Sequence, residues 1–378
     1  MIAWGDIYKV VAAMAPLYFA LGLGYGSVRW WRFFTPEQCG AINTLAVHLS
    51  MPFYNFDFAA RTDPYSMNYR VLAADAVSKA LAVVAVAAWA RWCGGGGAII
   101  TGFSLAALNN TLVVGAPLLD AMYGQWAVDL IVQLAVVQGL VWFPLLLLAF
   151  ELRNAWIGIV PPPPSADVES PMSCAVVNGR VEPVLSLSPS AEKDGAGDVE
   201  TTDAEGADAP KRIRLWPIVK TVGMKLARNP NVYASVLGVA WACVAYRWHL
   251  SMPGIVTGSL QIMSSTGTAM SMFSMGTRLF MAQQEKTIAC GAGLAALGMA
   301  LRFVAGPVAT MVGAVALGLR GDVLRLAIIQ AALPQSITTF VFAKEYGLHA
   351  DVLSTAVIFG TLVSLPVLLA YYAALGIV

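Results

Sequence analysis

The sequence predicts an all-α polytopic membrane protein. Ten transmembrane helices form two inverted five-helix repeats, and helices four and nine are broken where they cross. Three observations carry this reading. Of 378 residues, 58% are hydrophobic and only 12% are charged, about half the charged share of a soluble domain. The apolar residues fall into runs of roughly 20, the length that crosses a hydrocarbon core of about 30 Å. Landmarks of the first half also recur in the second at a near-constant offset. This composition, with a mean hydropathy of +0.68, excludes a soluble enzyme, a nucleic-acid binder and a disordered protein. Cys39, Cys93, Cys174, Cys243 and Cys290 are scattered, and His48, His249 and His349 do not cluster. Neither a disulfide framework nor a metal site follows, and no cofactor is expected.

The first span, residues 10–28, is free of charge. It lacks a basic leader and a small-residue cleavage site, so it reads as a retained helix. The second, residues 41–58, carries a kink at Met51-Pro52 and a polar group, Asn55. The third, residues 71–92, carries Asp75 and Lys79, four apart and therefore on one helix face. A flexible glycine run leads to the fourth, residues 98–119. The fifth, residues 128–152, is apolar except for Gln133 and Gln138. Hydropathy then collapses. After a proline run at 161–164, the chain to Pro210 holds ten acidic residues against Arg180 and Lys193. Such a stretch buries too little apolar surface to offset its ordering entropy, so disorder is expected. A basic segment from Lys211 to Arg228 follows, suited to a membrane surface. Five further spans lie near 232–246, 254–276, 292–319, 323–342 and 352–375. The organisation is thus a first repeat (1–152), a cytosolic loop with a basic juxtamembrane end (153–228) and a second repeat (229–378).

Topology follows from Lys and Arg. The side holding both termini carries six of them; the other carries fifteen, nine of which lie between Arg153 and Arg228. The positive-inside rule places the fifteen in the cytosol and both termini on the extracytosolic or lumenal side.

The repeat is visible in detail. Tyr123-Gly124 and Tyr346-Gly347 lie 223 residues apart, and Pro144 and Pro366 lie 222 apart. The same spacing carries Lys79 onto Arg302 and Asn109-Asn110 close to Pro334-Gln335. Two halves of five spans must run oppositely through the membrane. That is the plan of secondary transporters, whose sites lie near the midplane where broken helices meet.

Two adjacent amides in mid-membrane, Asn109 and Asn110, are costly unless bonded. Asn favours helix caps over helix interiors, so a break there presents free N–H groups and a positive dipole end. Pro334 removes a backbone donor and breaks the ninth helix at the corresponding place. A crossing of two broken helices can bind an anion; two kinks satisfied by neighbouring helices are the plainer alternative. Asp75 and Lys79 at bilayer depth suggest function, with a structural ion pair as the alternative. Arg302 has no acid within a turn, so it either snorkels or bonds carbonyls. Asn229-Pro230-Asn231 opens span six, where Asn is a good N-cap.

At these residues the chain resembles the PIN-FORMED auxin efflux carriers of plants. The matching segments include APLYFALGLGYGSVRWW (15–31), FTPEQCGAIN (34–43), NTLVVGAPLL (110–119), RNPN (228–231) and ALRFVAGP (300–307). LGLRG (317–321), AIIQAALPQSI (327–337), FVFAKEYGLHADVLSTAVIFG (340–360) and LPVLL (365–369) complete them. The resemblance covers both membrane halves. It implies homodimers that export indole-3-acetate and related auxins by an elevator-like movement, in the lipid bilayer and without an established coupling ion. By the same resemblance, Asn110 and Asn231 fall near the substrate carboxylate, and Asn55, Gln138 and Ile337 fall at pocket positions. Asp75, Lys79 and Gln330 form a polar support site, with Pro334 and Gln335 at the crossover. Three positions depart from the family pattern: Asn109 replaces a proline, Asn55 a serine and Phe143 a tyrosine. The short loop resembles that of members residing in the endoplasmic reticulum. A cation- or proton-coupled carrier of another organic monocarboxylate is the alternative within transport, and a receptor or scaffold the alternative outside it.

Overall fold

The computed structural model describes residues 4–93, 96–159, 215–285 and 292–377, and every regular element within them is helical. In chain order these are α1 (Trp4–Arg29), α2 (Pro36–Leu45), α3 (Met51–Arg61), α4 (Tyr69–Cys93), α5 (Gly96–Ala107) and α6 (Ala116–Tyr123). The next are α7 (Gln125–Val137), α8 (Phe143–Ile159), α9 (Leu215–Arg228), α10 (Pro230–Trp248) and α11 (Gly254–Glu285). Last come α12 (Ala292–Ala300), α13 (Gly306–Ala316), α14 (Gly321–Ala331), α15 (Ile337–Glu345) and α16 (Ala350–Ile377). The chain divides into two compact units, Met1–Asn154 with Leu215–Val378, and Ala155–Arg214. Of the second, only the last turn of α8 is among the described residues. The acidic stretch expected to be disordered lies outside them.

Among the described residues, five helical stretches are long and apolar enough to cross a membrane: Tyr8–Arg29, Tyr69–Arg91, Gln125–Trp156, Ala292–Ala316 and Ala350–Gly376. The chain is therefore an all-α membrane protein with several apolar spans. Along the eighth expected span, Val304, Val308, Met311, Val312 and Val315 are all exposed. Their spacing makes one continuous apolar stripe, the face a helix turns to lipid.

Prolines set the local geometry. Pro52, Pro117, Pro144 and Pro307 each sit at the second residue of a helix that directly follows a five-residue π turn. The four turns are Ala46–Ser50, Thr111–Gly115, Gln138–Trp142 and Leu301–Ala305. The cause is steric. A proline ring clashes with the carbonyl four residues back and offers it no N–H, so the preceding turn widens to i→i+5 bonding. The N–H of Met51 donates to Ala46, that of Phe143 to Gln138 and that of Gly306 to Leu301. These turns rotate Gln138 and Arg302 toward the centre of the molecule.

Differences from the expected spans are informative. The helix ending in α8 runs on to Ile159, beyond the expected boundary at 152. From Leu215 onward the basic juxtamembrane segment is helical as α9, whose Ile218, Val222 and Leu226, four apart, pack into a core with Leu146, Leu147 and Phe150. Helix α11 continues to Glu285, so Arg278, counted above in a connection, lies inside a helix.

Packing is densest within two sets of helices, which α1 bridges by packing on α6. α1 packs along α11, while α3 packs on α10 and α11. α4 packs on α5 and α13, α13 on α14, and α6 on α7. Close backbone approach needs glycine at several places, two of which illustrate it. A Cβ on Gly276 would stand 2.0 Å from the Leu21 carbonyl oxygen of α1. One on Gly306 would stand 2.5 Å from that of Ala106, just before the break in α5–α6.

Candidate functional site

Helix α5 ends at Ala107, and residues 108–110 run extended before the π turn at Thr111. Helix α14 ends at Ala331, and the chain is non-helical through Ser336. The two breaks lie against each other. Asn109 and Gln335 form an isolated antiparallel bridge. The Asn110 N–H donates to the Pro334 carbonyl (2.8 Å) and the Ser336 N–H to the Leu108 carbonyl (3.2 Å). Buried backbone freed by the breaks thus finds partners in the opposite chain, as hydrocarbon surroundings require. The breaks at Asn109-Asn110 and Pro334-Gln335 therefore lie side by side.

Side chains lock this crossing. The Asn109 amide donates to both the carbonyl and Oε1 of Gln330, the latter at 2.9 Å. Gln138 donates to the Asn109 carbonyl (2.8 Å) and to Thr111 Oγ1 (3.3 Å). Gln335 donates to the Ser104 carbonyl and to Thr339 Oγ1. Arg302 is 1% exposed and does not snorkel. Its guanidinium donates to the carbonyls of Leu333 (2.6 Å), Ala331 (2.6 Å) and Leu105 (3.2 Å). One cation thereby caps the C-terminal ends of both first half-helices, where the dipole is negative.

The other two ends of the breaks, the helix N-termini, remain open. Neither the π turn after Asn110 nor α15 after Ser336 has a side-chain cap. Asn110, Thr111, Ser336 and Ile337 line a cavity of about 560 Å³, within the size range of small-molecule sites. Asn110 is 8% exposed, and its Nδ2 is buried without a partner. A donor so placed is costly until something accepts from it. Asn55, Gln138, Phe143 and Asn231 line the same cavity, so all six sequence-predicted pocket residues meet there. Their amides differ in what they are free to do. Asn231 donates to the Val47 carbonyl and accepts from Asn55, each at 3.0 Å. It thus ties α10 to α3 and the preceding π turn, while Asn229 caps α10 by accepting from the Asn231 N–H. Phe143 meets Phe342 edge-on at 6.4 Å between centroids.

Asp75 and Lys79 pair at 2.7 Å with both side chains buried. Lys79 Nζ also lies 5.1 Å from the centre of the Trp142 ring. Together with Gln330 and Asn109 they border a second space of only about 10 Å³, room for at most one water. Asn109 borders both spaces and so separates them.

The large cavity is electropositive. Its lining contains Lys225, Arg278 and Lys344 and no carboxylate among the described residues. Lys225 is fully engaged: it bonds Glu151 (2.9 Å), Glu345 (3.0 Å) and the Tyr346 hydroxyl (2.7 Å). Burial works against its charge, but these bonds outweigh that cost and hold the ammonium well above the ordinary lysine range. Sequence reasoning missed Arg278 as a central residue, and for Arg302 it left snorkelling and carbonyl bonding both open, of which the structure shows the second. The signal was an arginine in an apolar run with no acid a turn away, at both positions.

A family profile described as membrane transport protein matches residues 9–372. The chain is 69% identical to "Probable auxin efflux carrier component 5c" of Oryza sativa subsp. japonica over 386 residues, covering 100% of both. It is 50% identical to "Auxin efflux carrier component 5" of Arabidopsis thaliana, covering 99% of both. To "Probable auxin efflux carrier component 1b" of Oryza sativa subsp. japonica it is 32% identical over 556 aligned residues, again covering 100% of both.

Proposed function

The chain belongs to the auxin efflux carriers of the membrane transport protein family, and from that premise we propose that it exports the indole-3-acetate anion through the cavity at the crossover. The observation that carries this is Asn110, whose buried Nδ2 has no partner, in the wall of a cavity that lies at two uncapped helix N-termini and has no carboxylate among the described residues of its lining. A carboxylate satisfies all three features at once, since it only accepts hydrogen bonds and carries the charge those dipole ends favour. The apolar walls from Phe143, Ile337 and Val341 suit an aromatic ring.

We read the movement as elevator-like alternating access, with α4–α8 and α12–α16 sliding against α1–α3, α10 and α11. The cavity supports this, since residues of both groups line it, Asn55, Asn231 and Arg278 from one and Asn110, Gln138 and Ile337 from the other. The ten-span, inverted-repeat topology rests on the 222–223-residue spacing and on the Lys and Arg count. It puts both termini outside the cytosol. A short loop supports residence in the endoplasmic reticulum: the component 5c relative aligns over 386 residues, the component 1b relative over 556. Homodimers follow from the resemblance alone.

Transport is read as uniport driven by membrane potential and gradient. Asp75, which borders a small space with Asn109 of the crossover, is already held by Lys79, which leaves it unsuited to carry a coupling cation. Radiolabelled indole-3-acetate efflux from a heterologous cell, with and without a protonophore, tests this. Efflux that survives the protonophore is expected. Efflux that needs a proton or Na⁺ gradient would point to a coupled carrier of organic monocarboxylates instead.

A further inference from the structure

The geometry points to Arg278 as the residue that draws a carboxylate anion from the cavity mouth down to the crossover, an inference that rests on the function proposed above. Of the three cations in the cavity wall, Lys225 has all three of its N–H donors taken by Glu151, Glu345 and Tyr346. Lys344 is exposed. Arg278 is half-buried, and no ion pair among the described residues involves it. Its guanidinium carbon lies 5.3 Å from the centre of the Phe340 ring. Stacking on an aromatic face orients a guanidinium while leaving its N–H edges free to bind.

Helix α15 gives this pair its direction. Ile337, Phe340, Val341 and Lys344 all line the cavity, at the i, i+3, i+4, i+7 spacing of one helix face. At about 1.5 Å of rise per residue, that face runs roughly 10 Å from the crossover to the mouth. Lys344 stands at the outer end, the helix N-terminus and Asn110 at the inner end, and Arg278 over Phe340 between them. An organic anion therefore meets a cation that is stacked on Phe340 and outside any ion pair among the described residues before it reaches the neutral amides that bind it. A charge-lined cleft with low-dielectric walls raises the local anion concentration and the association rate.

The test compares wild type, Arg278→Gln and Arg278→Lys, reconstituted full-length in liposomes, by binding and turnover of indole-3-acetate and of benzoate at low and high ionic strength. Arg278→Gln should raise KM about ten- to hundredfold, the size of one charge-assisted bond, with kcat within about twofold of wild type. Wild-type KM should climb with salt, whereas that of Arg278→Gln should stay flat. Arg278→Lys should keep the salt dependence. Phe340→Leu, which unstacks the guanidinium without removing its charge, should raise KM for both anions and serves if Arg278→Gln does not insert. Equal KM and equal salt slopes in wild type and Arg278→Gln, or unchanged KM in Phe340→Leu, would overturn the role given to Arg278. A wild type that carries benzoate with this Arg278 dependence but not indole-3-acetate would support the role and overturn the auxin reading alone.

Discussion

The N–H of Asn110 donates to the carbonyl of Pro334 at 2.8 Å, so the proline that breaks one helix supplies the acceptor for the residue that breaks the other. With the reciprocal Ser336–Leu108 bond, this is the wide-pair pattern of an antiparallel bridge, which does not use the N–H of Asn109. The absence of proline at position 109 therefore does not soften the crossover. Asn109 instead adds a link to Gln330 that a proline lacks.

Asn109→Pro should keep the crossover backbone, while Asn109→Ala and Asn109→Pro should both lose the Gln330 link. The expected loss of stability is about 1–3 kcal/mol, from leaving the buried amide of Gln330 underbonded. Thermal unfolding in detergent checks this. Failure of Asn109→Pro to insert, with Asn109→Ala inserting normally, would show that the backbone N–H of residue 109 is needed.

Asn110→Ala should separate binding from folding. Its Nδ2 has no partner among the described residues, so its removal should leave the unfolding temperature nearly unchanged. Affinity for indole-3-acetate should nonetheless fall about ten- to hundredfold, for a charge-assisted bond worth roughly 1.5–3 kcal/mol. Unchanged binding in a solid-supported-membrane assay would remove Asn110 from the site.

Arg302→Gln should be among the most destabilising single changes in this chain. It strips the caps from the carbonyls of Leu105, Ala331 and Leu333 at once. Each buried acceptor left open costs about 1–3 kcal/mol. Arg302→Lys should rescue only part of this, because an ammonium on a shorter stem cannot reproduce the planar fork. Recovery of well-folded Arg302→Gln protein with wild-type stability would contradict the capping role.

Asp75→Asn and Lys79→Ala should each slow transport, since breaking one member of a buried pair leaves a charge uncompensated at roughly 3–5 kcal/mol. The double change Asp75→Asn/Lys79→Gln should recover folding but not turnover if the pair acts in the transport cycle. Wild-type turnover in the double variant, measured at matched expression, would reduce the pair to a structural one.

The cluster around Lys225 sets a pH expectation. Burial first, then the bond to Glu151, pushes the Tyr346 hydroxyl up to about 12, and the Lys225 ammonium is likewise held above its ordinary range. Groups with raised folded values stabilise fully below their unfolded values, about 10 for Tyr and 10.4 for Lys, and lose that effect only as pH climbs past the folded ones. The ratio of Lys225→Met to wild-type transport should therefore stay flat from about pH 5.5 to 8, the range in which neither group titrates. Lys225 is partly exposed, so the stability change should be below about 1 kcal/mol. A transport ratio that changes across that range would mean another group titrates with the contact.

Local rules made much of this protein legible in advance. Apolar runs of bilayer length marked the spans. Asn109-Asn110 and Pro334 marked the breaks, because proline and asparagine disrupt a helix through their own backbone chemistry. Asp75 and Lys79 were legible as a pair because a spacing of four places two residues on one face. What only the tertiary structure decided is which distant groups satisfy the broken backbone. Arg302 reaches Leu105, 197 positions away in sequence, and Asn109 reaches Gln330, 221 away. The amide of Asn231 is spent on Val47 and Asn55, whereas that of Asn110 stays open, though the two residue types are identical. Hydrogen-bond capacity is written in the residue, but who accepts or donates across a fold depends on packing, and no sequence spacing encodes that.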